Sequence, residues 1–118
     1  MTTFLVLIYG NEQAWDGMSD EEQAAIDAGH RDLVAAAGPG VLASGQLGPA
    51  ERATTLRADA TGRRTRTTGP FVESTEVIGG YYVIEARDLD EVVGWAERLH
   101  ESAASHGGVE IRPLHEPT

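Results

Sequence analysis

The chain has 118 residues, a formal net charge of −10, no cysteine and no lysine. Its length fits one domain spanning residues 1–118, able to bury about two thirds of its unfolded surface without metals or crosslinks. The missing cysteines exclude a disulfide framework, a thiolate nucleophile and a Cys-based zinc or iron–sulfur site, and the missing lysines exclude Schiff-base chemistry.

Phe4, Leu5, Val6, Leu7, Ile8 and Tyr9 form a short apolar run ended by Gly10 and Asn11. This pattern predicts a strand that is apolar on both faces. The run falls far short of the roughly 20 residues a membrane helix needs, and the segment after Met1 lacks the basic start of a signal peptide. A cytoplasmic protein with no membrane partner is therefore expected. Ser19 followed by Glu22 reads as a capping box, so a helix should begin there. Ile26, Leu33, Val34 and Ala37 supply its apolar stripe, and Gly38, Pro39 and Gly40 stop it.

Residues 41–47 predict a second strand, broken by Gly48 and Pro49. Residues 53–58 and 63–67, joined by 59–62, predict a hairpin rich in threonine and arginine. Arg63, Arg64 and Arg66 are the one basic cluster, and their place beside the hairpin turn makes a nucleic-acid partner unexpected on so acidic a chain. The stretch 71–78 leads to Gly79 and Gly80, and 81–86 predicts a strong aromatic and β-branched strand. Asp88 and Glu91 open a second helix with Leu89, Val92, Val93, Ala96 and Leu99 on one face. Val109 and Ile111 then alternate with Glu110 and Arg112 before Pro113, as in an edge strand.

The order strand, helix, strand, hairpin, strand, helix, strand gives an α+β fold of the ferredoxin-like, split βαβ kind with an inserted hairpin. Two helices cover only one face of such a sheet. Since residues 4–9 are apolar on both sides, a second copy is the simplest cover, and a homodimer with facing sheets is expected.

Three segments carry a family likeness: Thr68-Gly69-Pro70-Phe71-Val72-Glu73-Ser74-Thr75-Glu76, then Gly79-Gly80-Tyr81-Tyr82-Val83-Ile84-Glu85, then Asp88-Leu89-Asp90-Glu91. They resemble the D-G-P-F-x-E-T-K-E, G-G-F-Y-x-I-E and D-L-D-E signature of the DGPF branch of the YCII-related family. Residues 4–10 resemble the family's opening strand, and Ala43, Ser44 and Gly45 its second. The resemblance implies a dimeric α+β barrel. It also implies either a small acid–base enzyme using a pocket histidine and aspartate, or a regulatory protein associated with alternative sigma factors. Thr68 stands where the motif has its aspartate. Threonine cannot serve as a carboxylate base, though it can shape the turn before Gly69 and Pro70.

His30 falls in the middle of the first helix's apolar stripe, where a polar ring needs a partner. Either it is a satisfied core histidine, or it carries protons at neutral pH, as the resemblance implies for a first-helix histidine. Its carboxylate partner is open among Asp27, Glu73, Glu76 and Glu85, with Glu73 preferred as the motif glutamate. Ser44, Tyr82 and Trp15 are the expected binding residues, Trp15 from a loop at the pocket mouth. His30, His100, His106 and His115 lack ligand spacing, so neither a metal nor a cofactor is expected. The two functions left standing are a cofactor-free lyase or isomerase acting on a small polar substrate, and a non-catalytic ligand-binding or regulatory accessory protein.

Overall fold

The structure, a computed structural model, describes residues 1–115. It has an α+β architecture: a four-stranded antiparallel sheet with helices on one face, and a separate two-stranded ribbon. Strand β1 is Thr2–Asn11, and its inward residues Phe4, Val6 and Ile8 are buried. Asn11 then caps a one-turn helix α1, Glu12–Asp16, its Oδ1 accepting from the amides of Gln13 and Ala14. This turn was expected to be a loop.

Helix α2, Asp20–Ala37, begins at Ser19, whose Oγ accepts from the amide of Glu22. The carboxylate of Glu22 accepts from His100 and His106, not from the Ser19 amide that a capping box would use. Ile26, Gly29, Leu33 and Ala37 form the buried stripe. Val34, expected on that stripe, is 46% exposed because the stripe follows the spacing of Gly29, Leu33 and Ala37 and leaves Val34 on its flank. Gly29 is where α2 meets the turn after the last helix, since a Cβ there would stand 2.5 Å from the carbonyl oxygen of Arg98.

Strand β2, Val41–Gln46, is followed by the ribbon strands β3, Thr54–Ala58, and β4, Arg64–Thr68. Strand β5, Glu76–Ala86, runs unbroken through Gly79 and Gly80, where the sequence had indicated a boundary. The glycines allow a close approach instead of a stop: a Cβ on Gly79 would lie 2.4 Å from the Trp15 ring. Helix α3, Leu89–Ala96, is capped by Asp88, which accepts from the amide of Glu91. It ends three residues before Leu99, and a tight turn, His100–Ser102, leads toward β6, Gly107–Pro113.

The sheet order is β2-β5-β1-β6, with every neighbouring pair antiparallel. Strand β5 lies between β1 and β2, as in the split βαβ plan. The core joins Phe4, Val6, Ile8, Tyr82, Ile84 and Ala86 of the sheet to Leu33, Val92 and Leu99. Burying one such side chain stabilises the fold by about 1.5–3 kcal/mol. On the opposite face Leu5 pairs with Val83 and Leu7 with Tyr81, and none of these four is fully buried.

Candidate functional site

Helix α2, strand β5 and the turn after α3 meet around His30. The Nδ1 atom of His30 is 2.5 Å from the Tyr82 hydroxyl, and its Nε2 atom is 3.1 Å from Oε2 of Glu101. The imidazole and phenol rings also stack, with centroids 5.7 Å apart and planes 23° from parallel. An ionised carboxylate can only accept, so Glu101 fixes the proton of a neutral ring on Nε2. Nδ1 is then the acceptor of the Tyr82 O–H. The result is a continuous Tyr82–His30–Glu101 chain.

Glu101 is only 5% exposed. Burial pushes its carboxyl upward, but the His30 hydrogen bond, a backbone amide and the charges of His30 and His100 together hold it below the ordinary glutamate value. It is therefore a buried carboxylate at neutral pH. Among the described residues its Oε1 has no hydrogen-bond partner. The Tyr82 phenol is raised, first by burial and then by the negative charge of Glu101. Tyr82 thus holds its proton and donates.

This chain opens on a cavity of about 780 Å³ between α2 and the β2–β5 end of the sheet. Ser44 lies opposite Tyr82 in the strand register and lines the same space. Trp15 lies against Gly10 and Gly79 and forms part of the wall from α1. Arg31 and Asp27 reach the cavity from α2, and Asp27 accepts a hydrogen bond from Gln23. The structure therefore gathers His30, Tyr82, Ser44 and Trp15 around one opening.

Glu73 is not part of it. It lies exposed between β4 and β5, outside the cavity wall, and Glu101 occupies the position beside His30 that the sequence had offered to Glu73. Glu76 begins β5 and is exposed, while Glu85 alternates away from Tyr82 onto the other sheet face. Thr68 ends β4 in register with Thr54 and is likewise outside the wall. Spacing could not find Glu101, because the local pattern read as a continuing helix face and gave no hint of the inward turn at His100.

Beside the site, Glu22 Oε2 accepts from Nε2 of His100 at 3.0 Å and of His106 at 3.1 Å. These bonds hold the Glu22 carboxyl below its ordinary value. The cluster ties the start of α2 to both ends of the segment that carries Glu101. Among the described residues no group of three or more His, Cys, Asp or Glu side chains is arranged to hold a metal ion. No helix among them is long and apolar enough to cross a membrane.

Comparison with known proteins agrees with the extent of the fold. An uncharacterized protein of Rhizobium meliloti (strain 1021) is 37% identical over 117 residues, covering 94% of this chain and 90% of that protein. The family model of the YCII-related domain matches residues 2–117, a span that takes in every strand and helix around His30. The chain belongs to the YCII-related family.

Proposed function

We propose that this YCII-related protein is a cofactor-free lyase or isomerase of the DGPF branch, with His30 moving a proton on a small polar substrate. The observation that carries this reading is the Tyr82–His30–Glu101 chain at the wall of an open cavity. A buried carboxylate that stays ionised sets the tautomer of the ring and stabilises it when it takes up a second proton. Tyr82 positions the other nitrogen, and Ser44 adds a hydroxyl beside it for a polar substrate group. Arg31 at the cavity supplies a cation suited to a carboxylate or phenolate.

The working form in this reading is a homodimer whose sheets face each other as an α+β barrel. Leu5, Leu7, Tyr81 and Val83 form an apolar surface of the kind a second sheet covers. Light scattering on a size-exclusion column tests this: a monodisperse monomer at micromolar concentration rules the barrel out.

A non-catalytic, ligand-binding or regulatory role is the second reading. Two observations favour it: both nitrogens of His30 are already engaged by protein groups, and Thr68 replaces the motif aspartate. A thermal-shift screen of small organic acids and phenols on wild type and His30→Gln separates the two. Stabilisation reports ligand bound to the folded form. Hits that disappear in His30→Gln, together with chemical turnover of the hit, support the enzyme. Hits that persist in the variant without turnover support the binding protein.

A further inference from the structure

The ribbon β3–β4 stands apart from the body. Its strands pack on each other and on residues 69–71, with no substantial packing on the four-stranded sheet or the helices among the described residues. The radius of gyration is accordingly 16.3 Å, against about 13.5 Å for a compact domain of this length. An isolated two-stranded hairpin is marginal in water, so a ribbon held this far out needs something to lie against. It is nonetheless well formed. Asp59 Oδ1 accepts from the amides of Thr61 and Arg63 and from the Thr61 hydroxyl at the tip. At the base Thr55 donates to the Gly69 carbonyl, and the Arg57 guanidinium lies 4.0 Å from the centroid of the Phe71 ring.

The two ribbon faces differ. Strand register puts Leu56 opposite Arg66 and Ala58 opposite Arg64, so one face offers leucine and alanine flanked by two cations. Leu56 is 64% exposed, and Phe71 and Val72 beside the base are 62% and 67% exposed. Residues 52–67 hold five arginines and one aspartate, a local charge of +4, which leaves −14 on the rest of the chain. Among the described residues Arg63, Arg64 and Arg66 make no ion pair. Asp16, Asp20 and Glu21, at the α1–α2 junction, make none either, and Asp16 belongs to the cavity wall.

We infer that the β3–β4 ribbon is an intersubunit arm that docks, through Leu56, Arg64 and Arg66, on the acidic α1–α2 rim of a second copy and covers the mouth of that copy's cavity. The charge it seeks is the charge its own chain carries in excess. Exposed leucine, phenylalanine and valine beside the arginines match a protein surface better than a phosphate backbone. The inference rests on the dimer of the proposed function but adds a second contact, distinct from the sheet faces.

The test is sedimentation equilibrium on the full chain, at low and physiological salt, for wild type and three variants checked for folding by circular dichroism. These are Arg63→Glu/Arg64→Glu/Arg66→Glu on the arm, Asp16→Lys/Glu21→Lys on the rim, and Leu7→Arg on the sheet face. The arm and rim variants should each weaken dimerisation about tenfold or more and lose its salt dependence, and an equimolar mixture of the two should recover heterodimers, because reversed charges again face each other. A wild-type dimer broken by Leu7→Arg but untouched by either charge reversal overturns the arm and leaves the sheet dimer standing. A monomeric wild type overturns both. Capture of a short DNA duplex by wild type at physiological salt, lost in the arm variant, also overturns the inference by making the ribbon a nucleic-acid contact.

Discussion

Glu101 lies 71 positions beyond His30 in the chain, yet its Oε2 is 3.1 Å from the ring's Nε2. The tight turn His100–Ser102 brings it there, directing a carboxylate into the protein where a longer α3 would have directed it outward. The pairing has a direct consequence for stability. Because the folded carboxyl is held below its ordinary value of 4.5, its contribution is complete above that value and disappears as the pH falls through the lower folded one. Glu101→Gln should lower stability at pH 7 by about 1–3 kcal/mol, the usual cost of weakening a charged buried hydrogen bond. Melting curves of wild type and variant should converge as the pH drops below the ordinary glutamate value. A gap that stays constant down to pH 3 would falsify the assignment of an ionised Glu101.

Tyr82 gives a second test, this time at the alkaline end. Its phenol is raised above the ordinary value of 10 by burial and by Glu101, so it should ionise later than a free phenol. Ultraviolet titration should show a late-ionising phenol that Tyr82→Phe removes. Protein stability should fall as the pH climbs past 10, because the unfolded chain ionises first. The same variant should cost about 0.5–1.5 kcal/mol in urea unfolding at neutral pH for the lost hydrogen bond to His30.

Trp15 can be displaced without touching the Tyr82–His30–Glu101 hydrogen bonds. Gly79→Ala sets a methyl group where the indole lies, since the ring is 2.4 Å from the Cβ position. Overfilling of this kind costs about 1–3 kcal/mol. Tryptophan emission should shift to the red as the ring moves into solvent, with Trp95, which packs against the core, providing the unshifted component. An unchanged spectrum means that the wall is not built by this contact.

The Glu22 cluster predicts a local effect. Glu22→Gln removes the charge shared by His100 and His106 and should loosen the segment between them. Amide hydrogen exchange should rise over residues 100–107, with little change in the buried strands β1 and β5. Equal acceleration across the sheet would mean that Glu22 supports the whole fold instead of this loop.

Much of the architecture was legible because its signals are local. Alternating Phe4, Val6 and Ile8, the caps at Ser19 and Asp88 and the stop at Gly38 each act within a few residues. His30 stood out for the same reason, as a polar ring in an apolar stripe. The errors came where a distant partner decides the outcome. Gly79 and Gly80 read as a break until the Trp15 ring is known to need the space, and Glu22 read as a capping residue until two histidines near the other end of the chain claim it. Glu73 was preferred among Asp27, Glu73, Glu76 and Glu85, and Glu101 was not among the candidates, because a motif is visible in a string of letters and a three-residue turn inward is not.

The hydrogen-bonded residues around His30 come from a helix, a central strand and a turn that no short stretch of sequence contains together. No excised peptide can therefore rebuild this constellation. The Tyr82–His30–Glu101 constellation closes only when the last turn has docked, so its appearance during refolding doubles as a clock for completion of the whole assembly.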